Sequence, residues 1–321
     1  MIRVATIGTS SITRRTVAAA AGVPGLRFTT AFSRDAATAA ALASDLGFEH
    51  STDDLAALLA SDDIDAVYVA SPNSVHAGQV RAAIEAGKHV FCEKPAVQTV
   101  AEWDALVALA ATKGVVLMEN IRTQYDPVMA RIEELLPTLG PIRRVYFALS
   151  QRSSRYDDVL AGRRVNIFDP AMGGGALADL GIYLVHPLAR LFGTPSRTSA
   201  SFVTVTTGAD GAGAALFTYP GMVAELAWSK ITAGPGGGSI EGELGTLTID
   251  HLTELYGIEV AYLDGRHLSE RPDDKPDNIT FSLARFADLV SGDGSAAVDQ
   301  ARTRAALGLL ESIRAAAGSV Q

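Results

Sequence analysis

Up to residue 119 the chain alternates short apolar runs of β-forming residues with Ala-rich stretches of helical character. Residues 3–7 lead into 13–21, 28–32 into 36–46, and 66–70 into 77–86; then 90–92 is followed by 101–112 and by a further apolar run at 115–118. A strand that is followed each time by a helix returns to the sheet parallel to its predecessor. Repeated βα units therefore stack helices on both faces of a parallel sheet. Residues 1–121 are predicted to form such a doubly wound sheet, with any ligand at the carboxyl ends of its strands.

Beyond a helical stretch at 128–136, closed by Pro137 and Gly140-Pro141, the grammar changes. Longer runs rich in Val, Thr, Phe and Tyr occupy 142–150, 198–207, 214–219 and 222–231, separated by turns at 208–213 and at Pro220-Gly221. This pattern predicts a second domain, residues 122–321, of α+β type with a mainly antiparallel sheet. A last helical segment, about 299–317, is a candidate to pack back on the first domain. With 321 residues, 48% of them hydrophobic and 20% charged, the chain is long enough for two ordinary cores. A net charge of -9 disfavours nucleic acid or an anionic membrane as the main partner. No apolar run approaches the ~20 residues of a bilayer span and no secretory signal is recognisable, so a cytoplasmic protein is expected. A lone cysteine and six scattered histidines give no metal-site spacing, and no metal is expected.

Several clusters carry chemistry. The run Val90 to Cys92 ends in Glu93-Lys94-Pro95, which puts a lysine at a strand's carboxyl end. The first strand ends in Gly8, Thr9, Ser10, Ser11 and Ile12 and enters a helix, where a Gly-rich turn can hold a dinucleotide pyrophosphate. Only the first glycine of the usual pattern is present, and an ordinary capped βα turn is the plainer alternative. After the second strand come Ser33 and Arg34, where an NAD-selective fold usually places an acid. A hydroxyl and a guanidinium suit a 2'-phosphate, so NADP is the expected cofactor and NAD the alternative, with Asp35 on the ribose and Ser33 as a helix cap. Ser71, Pro72 and Asn73 follow the strand at 66–70, with His76 three residues on; they are either a cofactor edge or a capped turn. Finally, Gly173-Gly174-Gly175 opens a helical run in which Asp179, Tyr183 and His186 are spaced by four and three, one stripe among Leu177, Leu180, Leu184 and Val185.

Taken together, the Gly8 turn, Ser71-Pro72-Asn73 with His76, Ala86-Gly87-Lys88-His89-Val90 before Glu93-Lys94-Pro95, Met118-Glu119 with Pro127, and the run from Gly173 to Tyr183 resemble the Gfo/Idh/MocA family of glucose-fructose oxidoreductases and inositol dehydrogenases. The resemblance spans essentially the whole chain. It implies an N-terminal Rossmann domain, a C-terminal domain with a large open sheet, a nicotinamide cofactor, and a role beside it for Lys94. Many members carry a histidine where this chain has Tyr183, so the chain is similar to the tyrosine branch. The implied activity is hydride transfer on a hydroxyl-bearing carbon of a sugar, cyclitol or related polyol. Lys94 and Tyr183 are then expected to be the acid/base pair, with Asp179 orienting them or binding substrate and Glu93 joining the cofactor set. Free lysine and tyrosine both titrate near ~10, so neutral-pH chemistry needs burial or a neighbouring charge. Arg122, Arg155, Tyr156, Asn166 and His186 are candidates to meet the substrate. A homodimer or homotetramer through the open sheet is expected, because a broad face with Val and Phe needs a cover. Two alternatives stay open: a non-catalytic dinucleotide sensor, and an enzyme whose bound cofactor cycles internally.

Overall fold

In the computed structural model, which describes residues 1–318, the early alternation becomes a six-stranded parallel sheet. Its elements run β1 (Ile2–Ile7), α1 (Ser11–Ala20), β2 (Leu26–Phe32), α2 (Ala36–Leu46), β3 (His50–Thr52), α3 (Leu55–Ala60), β4 (Ala66–Val69), α4 (Asn73–Glu85), β5 (His89–Glu93), α5 (Val100–Lys113) and β6 (Leu117–Asn120). The order across the sheet is β3-β2-β1-β4-β5-β6. The chain thus winds outward in one direction from β1 and in the other from β4, and the switch point lies between those two strands. All four residues of β4 are buried, as a central strand covered on both faces requires. The short β3 and α3 are too weakly patterned to have been expected. Helix α4 starts earlier than expected, directly after Pro72, whose fixed φ suits a helix start.

The second unit contains α6 (Pro127–Leu135), β7 (Ile142–Ser150), α7 (Tyr156–Leu160), a π-helical turn (Leu177–Gly181), α8 (Ile182–Phe192), β8 (Arg197–Thr204), β9 (Asp210–Tyr219), β10 (Met222–Ser229), β11 (Gly238–Gly242), β12 (Gly245–Ile249), β13 (Ile258–Tyr262) and β14 (His267–Glu270). Its eight strands lie in the order β14-β13-β12-β11-β7-β10-β9-β8, all neighbours antiparallel except β7 and β10. Burial alternates along β9 and β10, the sign of a sheet with one covered face. Phe147, Phe217 and Trp228 turn to the covered side, where Phe202 meets Trp228 edge-on at 5.9 Å. Gly213 makes room, since a Cβ there would lie 2.5 Å from the indole. The open face is therefore less aromatic than the sequence implied. It carries exposed Val203, Leu216 and Val223, and Arg144 pairs with Glu225 at 3.0 Å and with Glu241 at 3.2 Å.

The chain then adds α9 (Ile279–Ser291) and α10 (Ala297–Gly318). The first compact unit gathers Met1–Arg122 with Pro276–Arg304, and the second holds Thr123–Lys275 with residues 305–318. Phe286 of α9 stacks on Phe91 with ring centroids 5.1 Å apart, and Ser282 donates to Asn120 at 2.8 Å. At the start of α10, Gln300 accepts from the Trp103 indole and Thr303 donates to Glu119. Among the described residues no helix is long and apolar enough to cross a membrane.

Candidate functional site

At the switch point of the first unit, Gly8 has φ +128, and a Cβ on it would stand 2.3 Å from the Ala70 carbonyl oxygen and 3.0 Å from the Ser71 nitrogen. The ends of β1 and β4 can approach this closely only because that side chain is absent. Helix α1 begins at once, with Ser10 at its N-cap making no side-chain bond and no acid in its first turn; α4 begins after Pro72, again without a side-chain cap. Helices α2, α3 and α5, by contrast, are capped by Asp35, Asp54 and Thr99. The capped-turn alternative for Gly8 to Ile12 thus lacks its cap. Ser10 and Ser11 are exposed, and Thr9 and Ile12 half-buried. This arrangement suits an anion at the α1 start.

At the end of β2, Asp35 is committed to α2. Its carboxylate accepts from the Thr38 amide at 2.8 Å and from the Thr38 hydroxyl, bonds that hold it below the usual carboxylate range. Ser33 caps no helix; its hydroxyl accepts from the Asp35 amide at 3.3 Å. Arg34 is exposed, and among the described residues its guanidinium has no acidic partner.

The Glu93-Lys94-Pro95 turn closes β5, with a cis peptide between Lys94 and Pro95. Lys94 is half-buried. Glu93, 8% exposed, accepts from the Tyr68 hydroxyl at 2.6 Å and from the Asn120 amide at 2.7 Å, so its carboxylate sits in the interior network and not at a ligand surface. Burial and the adjacent Glu93 charge push the Tyr68 hydroxyl well up. Glu119, which sequence reasoning did not single out as a site residue, accepts from the Ala96 amide at 2.9 Å and so fixes the backbone beyond the lysine. His76 is fully buried, with Nε2 2.8 Å from the Ser71 carbonyl and Nδ1 3.0 Å from the Pro95 carbonyl. It was expected at the cofactor; instead each ring nitrogen faces a backbone carbonyl, of which a neutral ring can donate to one, and the ring lies between the Ser71-Pro72-Asn73 turn and the lysine turn. Burial pushes its pKa down, against the pull of the two carbonyls and of Glu93 and Glu119. Ser71 donates to Gln79 at 2.6 Å, while Pro72 and Asn73 are half-buried. Burial also pushes the Cys92 thiol well up, leaving an inert strand residue.

In the second unit the stripe read at α-helical spacing divides, because the turn carrying Asp179 is π-helical. Asp179 is paired with Lys230, a residue beyond the end of β10 that sequence reasoning missed. Tyr183 is 7% exposed. His186 is 1% exposed and contacts the Gln124 side chain through Nδ1 at 3.1 Å, an interior position unlike the substrate contact expected. The glycines before the turn have steric reasons. A Cβ on Gly174 would lie 2.4 Å from the Asn166 carbonyl, and one on Gly175 would lie 2.1 Å from Asp210 Oδ1. Asp210 uses that space to accept from the Leu177 amide at 2.7 Å and from the Trp228 indole at 3.3 Å.

Of the remaining candidates, Arg122 is buried just past β6, where its charge helps to hold down Asp277 against the effect of burial. Arg155 is exposed beside Asp158, Tyr156 packs against Phe168 at 5.8 Å with the Arg152 guanidinium over its ring at 5.2 Å, and Asn166 is exposed. These contacts stay within their own segment.

Residues 2–121 match the model of an oxidoreductase family with an NAD-binding Rossmann fold, and residues 137–248 match the Gfo/Idh/MocA C-terminal domain. A scyllo-inositol 2-dehydrogenase (NADP(+)) of Bacillus subtilis is 38% identical over 90% of this chain and 88% of its own. The chain belongs to the Gfo/Idh/MocA oxidoreductase family. Another relative within it, the dTDP-3,4-didehydro-2,6-dideoxy-alpha-D-glucose 3-reductase of Streptomyces antibioticus, is 31% identical over 90% of this chain and 86% of its own. The Gfo/Idh/MocA fold is also seen in a 3-ketoreductase from Actinomadura kijaniata solved with NADP and TDP-benzene: TM-score 0.87, 24% identity, 98% of this chain and 97% of that one.

Proposed function

We propose that this chain is an NADP-dependent oxidoreductase that moves a hydride between the nicotinamide and a hydroxyl-bearing carbon of a sugar, cyclitol or related polyol. The observation that carries the reading is the β1/β4 switch point. There a glycine without room for a Cβ is followed by an α1 start that has no side-chain cap. At the end of β2, Arg34 has no acidic partner among the described residues, while Asp35 is spent on α2. These residues fit a dinucleotide with an additional phosphate: amides of the α1 start for the pyrophosphate, Arg34 and Ser33 for the 2'-phosphate. Support also comes from the relatives, one named for NADP(+) and scyllo-inositol, another for a keto-sugar.

Bound NADP supplies the hydride chemistry. Lys94 and Tyr183 then hold or move the proton of the substrate hydroxyl, and Asp179 accepts hydrogen bonds from substrate hydroxyls. Ser71, Pro72 and Asn73 line the cofactor's edge, and His76 and Glu93 act from behind by fixing the turns on which these groups sit. The test is turnover of a panel of inositols, aldoses and keto-sugars with NADP(H), in the wild type and in Lys94→Met. We expect a kcat loss of about 100-fold or more in the variant, with folding intact. Wild-type turnover in Lys94→Met would remove the lysine from the mechanism.

A further inference from the structure

Lys230 has no part in the reading that the sequence supports, yet it is the residue the structure sets against Asp179. Along β10 the even-numbered residues Ala224, Leu226 and Trp228 are buried on the covered face, and the odd-numbered Val223 and Glu225 reach the open one. Lys230 extends the even series by one step, since its amide still donates to the Gly211 carbonyl of β9 at 2.8 Å. The chain then turns, with the Ser229 hydroxyl accepting from the Thr232 amide at 3.0 Å. A lysine is thereby fixed on the apolar side of a sheet with its side chain 6% exposed. Burying an ammonium there is costly unless an anion meets it.

The anion is Asp179, and the pair is lopsided: the aspartate side chain is 29% exposed. The buried pair of Lys275 with Asp126 elsewhere in this unit is built the other way round, with a carboxylate at 0% exposure and a lysine at 13%. In that second pair nothing of the acid is offered outward. In the first, the cation is hidden and the acid is the accessible end.

We infer that Lys230 is a positioning residue that keeps Asp179 charged and fixed in direction, so that Asp179 receives substrate hydroxyls as an acceptor and carries no proton itself. The inference rests on the reading that Asp179 meets the substrate. An ammonium in contact favours the carboxylate form, which leaves the hydroxyl proton to other groups. The remaining titratable or charged groups on elements packed against this turn are Tyr183, His186 and Arg190 on α8, Asp210 and Tyr219 on β9, Glu225 on β10, and Arg143, Arg144 and Tyr146 on β7, with Arg314 of α10 near Asp210. Glu225 and Arg144 pair with each other on the open face, and Asp210 is engaged by the Leu177 amide and the Trp228 indole.

The experiment titrates side-chain carboxyl carbons by NMR in the full-length protein, with Asp179→Asn to assign the signal, in the wild type, Lys230→Met and Lys230→Arg. We expect the Asp179 midpoint to rise by about one pH unit or more in Lys230→Met, and to return most of the way in Lys230→Arg. The acid limb of kcat/KM should move upward by the same amount while NADPH affinity stays within about twofold. An Asp179 midpoint that does not move in Lys230→Met overturns the inference, whatever the activity. A midpoint that moves while the acid limb stays in place also overturns it, because the pair would then be structural. A wild type that turns over none of the polyols fails the functional reading instead, and the carboxyl titration still decides whether Lys230 sets the charge of Asp179.

Discussion

At the end of β2 one side chain is the proposed reader of the cofactor's 2'-phosphate. Asp35, the obvious partner for ribose hydroxyls, has its carboxylate turned back onto Thr38, so it is not offered to a 2'-hydroxyl. Among the described residues Arg34 has no such commitment, and a guanidinium can take a phosphate with two parallel bonds. Arg34→Ala should weaken NADPH binding by about tenfold to a hundredfold while NADH binding changes by less than about twofold, as read by fluorescence titration. Equal losses for the two cofactors would mean that Arg34 does not read the phosphate. Gly8, Arg34 and Lys94 could be singled out as candidates because each stands where an apolar run ends, and strand ends bind ligands in such sheets. Lys230, Glu119 and Asp210 were not. Lys230 meets an acid 51 positions earlier, and Glu119 holds an amide 23 positions earlier, separations that no local pattern encodes. A usable signal for Lys230 was its parity: a lysine one step beyond Trp228 on the inward series of an apolar strand.

At the scale of elements, the strand and helix alternation translated well, and Ala36–Leu46 and Ile142–Ser150 kept their expected limits. Periodicity failed at the turn that carries Asp179. A stripe counted at 3.6 residues per turn cannot register a π-helical turn, whose cause lies in other parts of the chain. Asp210 at the start of β9 holds the Leu177 amide where the turn begins, and Gly175 leaves it the space. Burial pushes the Asp210 pKa up, although the Leu177 amide and Trp228 indole favour its charged form. Asp210→Ala strands the buried Leu177 amide and should cost about 1–3 kcal/mol. Because the turn also carries Asp179, kcat should fall more than the loss of stability accounts for. Asp210→Asn retains an acceptor oxygen and should keep most of both. Thermal unfolding and steady-state kinetics of the two variants test this; full activity in a folded Asp210→Ala protein would show that the turn needs no such anchor.

For the molecule as a whole, the two units are expected to respond differently to acid, and each has its own optical reporter. Trp103 belongs to the first unit and Trp228 to the second, and both are buried. The first unit also holds His76 and His89, both with pKa values pushed down by burial. An unfolded histidine titrates near ~6.5. When the folded value lies lower, the unfolded chain binds more protons between the two values, so stability is complete above ~6.5 and is lost as the pH falls through that window. The fully buried His76 contributes a slope of at most about 1.4 kcal/mol per pH unit; His89, half-exposed, adds less. The Asp65 carboxylate, held down by its hydrogen bonds from Arg3, acts in a separate window: its contribution is present above ~4 and disappears only in stronger acid. Urea unfolding of Trp228→Phe and Trp103→Phe chains at pH 7.5 and 5.5 separates the two units. The midpoint reported by Trp103 should fall over this range, and by less once His76→Gln removes the histidine. A Trp103 midpoint that stays level between pH 7.5 and 5.5 would mean that burial does not hold His76 neutral, and that its two carbonyl partners outweigh the loss of solvent.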